Sequence, residues 1–261
     1  MLPDVSSSRG GRRLLKRFLY SQLSLLDAVK IALDRTQPRV PFTVLAEPAS
    51  IYFNFRIRPE ARADFIRYIN LPLGFEVGPI SCLQGEQPDF LLTLNVYEVS
   101  GIATGVRAEW STYIIDAGGT ARYMVLEARS SETSMDPVDV ITRKGLVEHA
   151  SDSSSSRTRV ASLDQRLFQA RVSTTAGAPR ARLHPAWIAA NDYIYWRNGI
   201  CDRTFYDAGL AFPQASLIAP EQAEIDDQTH WRQFLEPQPR HIIRYEQAIE
   251  FVIMPWYNVS G

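Results

Sequence analysis

DFLLTLNVYEVSGIATGVRAEWSTYIIDAGGTARYMVLEARSS (89–131) reads as three strands in succession. Apolar, aromatic and β-branched residues fill its three runs, and Ser-Gly and Asp-Ala-Gly-Gly punctuate them. Turns this short join only antiparallel neighbours, so the stretch predicts a meander. Its middle strand, GVRAEWSTYIID (105–116), carries Arg107 and Glu109 two residues apart. Strand alternation puts this pair on one face and Val106, Ala108, Trp110 and Thr112 on the other. Two readings follow. The pair lines a pocket, with Glu109 as general acid or base and Arg107 holding a substrate carboxylate through its two-pronged guanidinium. Alternatively, it joins a cross-strand ion-pair set with Glu98 or Arg122 on a wet face.

Working outward, IYFNFRIR (51–58) alternates and reads as a strand. PEARADFIRYI (59–69) predicts a short helix with proline at its first position, and LPLGFEVGPI leads into another strand. Upstream, Leu14, Leu15, Phe18, Leu25, Val29 and Leu33 fall near one face of an amphipathic helix. TQPRVPFTVLAEPAS (36–50), with three prolines, reads as a linker. The expected organisation is therefore an N-terminal tail, helix and linker over 1–48 and a single domain over 49–261. The serine-rich SDSSSSRTRVAS (151–162) predicts a long hairpin loop. RLFQARVSTT predicts a strand, and HIIRYEQAIEFVIMPWYNVSG one or two. HPAWIAANDYIYWRNGICDRTFYDAGL (184–210) mixes aromatic and polar residues as lids, pocket walls and subunit interfaces do; on the interface reading the expected partner is a second copy in a homo-oligomer. The class expected is mainly β (α+β).

The chain of 261 residues is long enough for a core, and 45% of it is apolar. A formal net charge of -1 gives no basic excess for nucleic acid. No apolar run reaches the roughly 18 residues of a membrane span. The start is too charged for a secretory signal, though its basic character leaves a transit peptide open. Two cysteines, Cys82 and Cys201, make no disulfide framework, and a cytoplasmic location is the simpler expectation. The four histidines are scattered, so no metal site is expected, and dinucleotide and phosphate-loop fingerprints are missing, so no cofactor is expected. Of the 28 basic residues only Lys16, Lys30 and Lys144 are lysines. Arginine stays protonated, so only these three offer a neutral amine.

IYFNFRIRPEARADFIRYINLPLGFEVGPI (51–80) resembles the acetoacetate decarboxylase family, which opens with an aromatic strand, a short helix and a proline-containing turn. VSGIATGVRAEWSTYII (99–115) is similar to the next pair of strands of that family, and Glu109 falls at its catalytic glutamate. Counting forward from Met124 without gaps places the family's Lys-Lys pair on Arg143 and Lys144 in ITRKG. Thr142 stands where the family has proline, and Met135, Asp136 and Pro137 replace its Gly-Arg-Glu element. The family's substrate-binding arginine falls near Ala49–Ser50, which contain none. The resemblance implies an antiparallel β-sheet or cone curled around a small pocket for a carbonyl acid. It implies Glu109 as the catalytic glutamate and puts the Schiff-base lysine position on Arg143, with Lys144 at the companion lysine; Lys144 is then the expected catalytic amine, and Arg107, from its place on the face of Glu109, the expected catalytic anion partner. Arg143, Tyr97, Trp110, Tyr113, Phe53 and Phe55 are the expected substrate-binding wall. The partner implied is a small or medium carbonyl compound, such as a β-keto acid. A Schiff-base lysine requires a pKa lowered by several units, through burial or a neighbouring cation such as Arg143. Two further classes stand beside an enzyme: a binding protein that has lost the amine, and a structural oligomer subunit.

Overall fold

In the computed structural model the residues described are 18, 22–26, 29, 42–71, 74–101, 104–115, 118–131, 142–161, 167–174, 178–191, 193–196, 204–208 and 214–257. The predicted meander is present as β4 (Leu91–Gly101), β5 (Gly105–Ile115) and β6 (Ala121–Ser130), paired antiparallel in that order. Gly119, at φ 74°, takes the left-handed conformation in the turn before β6. β2 (Ile51–Ile57) pairs with β4 on its other side. The helix predicted after it begins as a 3-10 turn, Pro59–Ala61, continues as α1 (Arg62–Ile69), and ends at Asn70 in the left-handed region.

β1 (Phe42–Ala46) corrects the expected linker. Pro41 and Pro48 bound a strand of five residues, and that strand pairs with both β4 and β16 (Ile249–Tyr257). Pro48 sits outside the ladder, where its missing N–H group costs nothing. The serine-rich stretch is a second correction. It forms the tight turn between β8 (Leu146–Ser151) and β9 (Ser155–Ala161). Asp152 accepts hydrogen bonds from the backbone N–H groups of Ser154 and Ser155, which lower its carboxyl pKa to about 2.

The main sheet runs β13 (Ala215–Ile218), β15 (Leu235–Tyr245), β2, β4, β1, β16, β12 (Thr204–Ala208), β11 (Tyr193–Trp196), β6, β5 and β3 (Glu76–Val77), with β7 (Thr142–Lys144) beside β6. Because β4 also pairs with β5, the sheet curls back on itself. β8, β9, β10 (Leu167–Ser173) and β14 (Ala223–Asp227) form a second sheet. α2 (Pro185–Ala190) starts at His184, whose Nδ1 accepts from the Ala186 N–H.

Alternation divides the core into two layers. Phe53 and Phe55 of β2, Leu92, Leu94 and Val96 of β4, and Ala108 and Trp110 of β5 face the outer layer. Phe65 of α1, Phe168 of β10 and Trp231 close it. The Phe168 ring stands 5.4 Å from that of Phe53 and 5.9 Å from that of Trp110, edge-on in both cases. Tyr52, Tyr97, Tyr113, Tyr123 and Val125 face the inner layer, with Cys82, Trp187 and Tyr245. Among the described residues, no helix is long and apolar enough to cross a membrane.

Candidate active site

Glu109 points into the inner layer and is 5% exposed. Its Oε1 accepts from Arg107 Nε at 2.5 Å, and its Oε2 from Asn95 Nδ2 at 3.3 Å. The Tyr97 hydroxyl also hydrogen-bonds the carboxylate. Asn95 is the direct cross-strand partner of Glu109, and Tyr97 that of Arg107. Four residues of one two-strand ladder thus supply a carboxylate and its immediate partners. The pair is buried and self-paired, not set on a wet face with Glu98 or Arg122.

Phenol groups surround this pair. The Tyr123 hydroxyl donates to Asn95 Oδ1 at 3.1 Å, and Tyr52 also hydrogen-bonds the Asn95 amide. The Tyr113 hydroxyl accepts from Asn191 Nδ2 at 3.4 Å, at the end of α2. Burial pushes the pKa of Tyr52, Tyr97, Tyr113 and Tyr123 above the usual phenol value. The negative charge of Glu109 adds to the rise for Tyr52, Tyr97 and Tyr123. All four stay protonated near neutral pH and remain available as donors.

A bulge protects the electrostatics. On β5, Trp110 pairs with Glu127 and Ser111 with Val125, so Leu126 is the extra residue of β6. The strand's parity changes there. Ala128, in place of Glu127, lies beside Glu109 on the inner face. A second carboxylate at that position would repel the first. Glu127 instead accepts from Trp231 Nε1 at 3.2 Å and pairs with Arg129 Nη2 at 2.7 Å.

The bulge also sets the register of β7. Ser130 pairs with Lys144 and Arg129 with Arg143 in a parallel ladder. One row across the sheet therefore reads Tyr97, Arg107, Ser130, Lys144, and the next reads Asn95, Glu109, Ala128, Thr142. Two strand spacings put the Lys144 backbone about 10 Å from that of Arg107. Arg143 falls in the neighbouring row, with Ala108 and Arg129.

Of the residues expected at the site, Arg107, Glu109 and Tyr97 come together, and Tyr113 joins the same layer. Phe53, Phe55 and Trp110 do not. They occupy the outer layer, because they fall on the other parity of β2 and β5 from Tyr52 and Glu109. Asn95, Tyr52 and Tyr123 were missed by the sequence reading. Asn95 left a signal, as a polar residue inside the apolar run LLTLNVYEV, two positions from Tyr97 and so on its face. Among the described residues, no group of three His, Cys, Asp or Glu is placed to hold a metal ion.

No family model matches the chain, and no curated protein matches it by sequence. Solved structures do match. Acetoacetate decarboxylase from Legionella pneumophila superposes with a TM-score of 0.56 at 7% identity, over 87% of this chain and 91% of that one. A second acetoacetate decarboxylase gives a TM-score of 0.49 at 10% identity, over 87% and 93%. An acetoacetate decarboxylase-like enzyme from Sphingomonas wittichii RW1 gives 0.47 at 10%, over 82% and 92%. The curled sheet, its covering sheet and the inward-facing strands β4 to β6 are thus a divergent form of the acetoacetate decarboxylase-like fold.

Proposed function

We propose that the chain is an enzyme acting on a small or medium carbonyl compound, such as a β-keto acid, bound inside the curl of the main sheet. The observation that carries this reading is the buried Glu109, which accepts from Arg107, Asn95 and Tyr97 in a layer of protonated phenols. A structural ion pair needs one partner. Here a carboxylate, a guanidinium and several phenols share one face, which suits proton transfer next to a carbonyl. Glu109 would take or return the proton at the carbon beside the carbonyl. Arg107 and the tyrosine hydroxyls would meet the negative charge that develops on the oxygen.

Lys144 would decide the reaction class. As a neutral amine, its Nζ would add to the ketone carbonyl and expel water to give an iminium. The carboxylate of a β-keto acid would then leave as carbon dioxide, its bonding electrons passing into the iminium. The resulting enamine would take a proton at carbon. Without that amine, the pocket would still support enolisation, aldol-type or cyclisation chemistry through Glu109 and Arg107. A second reading, a binding protein without catalysis, is favoured by Arg143 and Thr142, which stand where the resemblance calls for Lys and Pro.

Borohydride trapping with acetoacetate and longer β-keto acids, read by intact mass and peptide mapping, separates these readings. A reduced adduct on Lys144, absent from Lys144→Ala, supports amine catalysis. Turnover of a β-keto acid without an adduct, abolished in Glu109→Gln, supports proton transfer alone. Ligand binding with neither adduct nor turnover leaves the binding protein. No binding of any keto acid overturns the proposal.

A further inference from the structure

The second sheet has a face that the carbonyl chemistry does not use. Its inward residues, among them Val160 and Phe168, pack into the outer layer. Its outward residues alternate with them. Arg157 and Arg159 of β9 and Arg171 of β10 stand in the middle of that face, with Glu148 of β8 on one rim and Glu224 and Asp226 of β14 on the other. These six border a concavity of about 670 Å³, within the size range of small-molecule sites.

The charge arrangement is unfavourable as it stands. Arg157 and Arg171 are direct cross-strand partners, with Cβ atoms about 5 Å apart, and like charges so placed repel. The rim acids relieve this weakly. Arg159 reaches Glu148 at 3.9 Å and Arg171 reaches Glu224 at 4.0 Å, both between exposed side chains. Among the described residues, the Arg157 guanidinium makes no ion pair. A bound anion would reverse the sign of the interaction at the centre.

We propose that this concavity binds a small molecule carrying a diphosphate or triphosphate group. On the strands, the Arg157 Cβ stands about 5–7 Å from those of Arg171 and Arg159, and each of the three guanidinium groups can bind oxyanions through two hydrogen bonds. A single carboxylate fills one fork, whereas a chain of phosphates spans all three. The rims exclude larger polyanions. A nucleic acid or an anionic membrane laid across the strands would meet Glu148 on one side and Glu224 and Asp226 on the other. A second copy of the chain docked about a two-fold axis through the patch would set its cationic centre against itself.

The test is calorimetric titration of the full chain with inorganic triphosphate at low ionic strength. Arg157→Gln and Arg171→Gln change exposed positions of formed strands and leave the fold intact. Arg67→Gln, on exposed α1, controls for the loss of one surface charge. The expected result is saturable 1:1 binding, weakened about tenfold or more by either sheet variant and unchanged by Arg67→Gln. Three results would overturn the proposal: no saturation below about 1 mM, equal weakening by all three variants, or citrate binding as tightly as triphosphate. The outcome is independent of any activity at Glu109.

Discussion

At the scale of single residues, the Arg107–Glu109 pair is where energetics and function meet. Side chains this deeply buried pay a large desolvation cost, which their mutual attraction offsets only while both are present. Arg107→Ala strands a buried carboxylate, so it should lower unfolding free energy by about 3–5 kcal/mol. The double change Arg107→Met with Glu109→Leu removes both charges and should recover most of that loss. Urea unfolding of the three proteins checks this. If the double variant is as stable as the parent while turnover or ligand binding is lost, the pair is retained for chemistry. Asn95→Leu probes its partner. Removing the amide that donates to Glu109 and accepts from Tyr123 should cost about 1–3 kcal/mol, and in an active enzyme it should lower kcat more than it raises KM. An unchanged kcat would mean that Asn95 only packs.

At the scale of elements, alternation explains both what the sequence disclosed and what it concealed. Glu109 and Arg107 could be placed on one face from their spacing alone, because β5 runs without interruption from Gly105 to Ile115. The register of Lys144 could not. It depends on one extra residue, Leu126, in β6, and nothing in ARYMVLEARSS marks that bulge. The short β1 was hidden by its flanking prolines and the β8–β9 turn by its serines, since composition reports breakers and solvation but not pairing. The outer layer predicts its own weakest point. Phe168 joins β10 to β2 and β5 through the rings of Phe53, Phe55 and Trp110. Phe168→Ala should cost about 3–5 kcal/mol and detach the second sheet first, seen as early amide exchange in β8, β9 and β10. On the far side, β15 holds the 81–89 segment through His241, whose Nε2 lies 2.8 Å from Glu86 Oε2. Burial, then Arg240 and Arg56, depress the His241 pKa to about 4. These effects outweigh the opposing charge of Asp89, so the neutral ring donates its Nε2–H to Glu86. The unfolded chain binds this proton near pH 6.5 and the folded chain only near 4, so stability falls as pH drops across that window. The loss is on the order of 3 kcal/mol. In His241→Gln, which keeps a donor but cannot titrate, the pH dependence of the urea midpoint between 6.5 and 4 should flatten. An unchanged slope would assign the acid sensitivity elsewhere.

At the scale of the whole molecule, the closing of the main sheet's curl rests on one short strand. β1 is only five residues long, yet it lies between β4 and β16, so its removal would open two sheet edges at once. Unpaired edges expose backbone N–H and C=O groups and invite aggregation. β4 also carries Asn95 and Tyr97, so damage at that edge reaches the Glu109 site within one strand spacing. A chain beginning at Arg39 should therefore unfold cooperatively, with its β-sheet circular dichroism intact. A chain beginning at Glu47, eight residues shorter, should be insoluble or melt without a sharp transition. Thermal melts of the two truncations decide this. If the shorter chain melts as sharply as the longer, β1 is dispensable, and the resemblance that begins at Ile51 marks the true start of the folding unit.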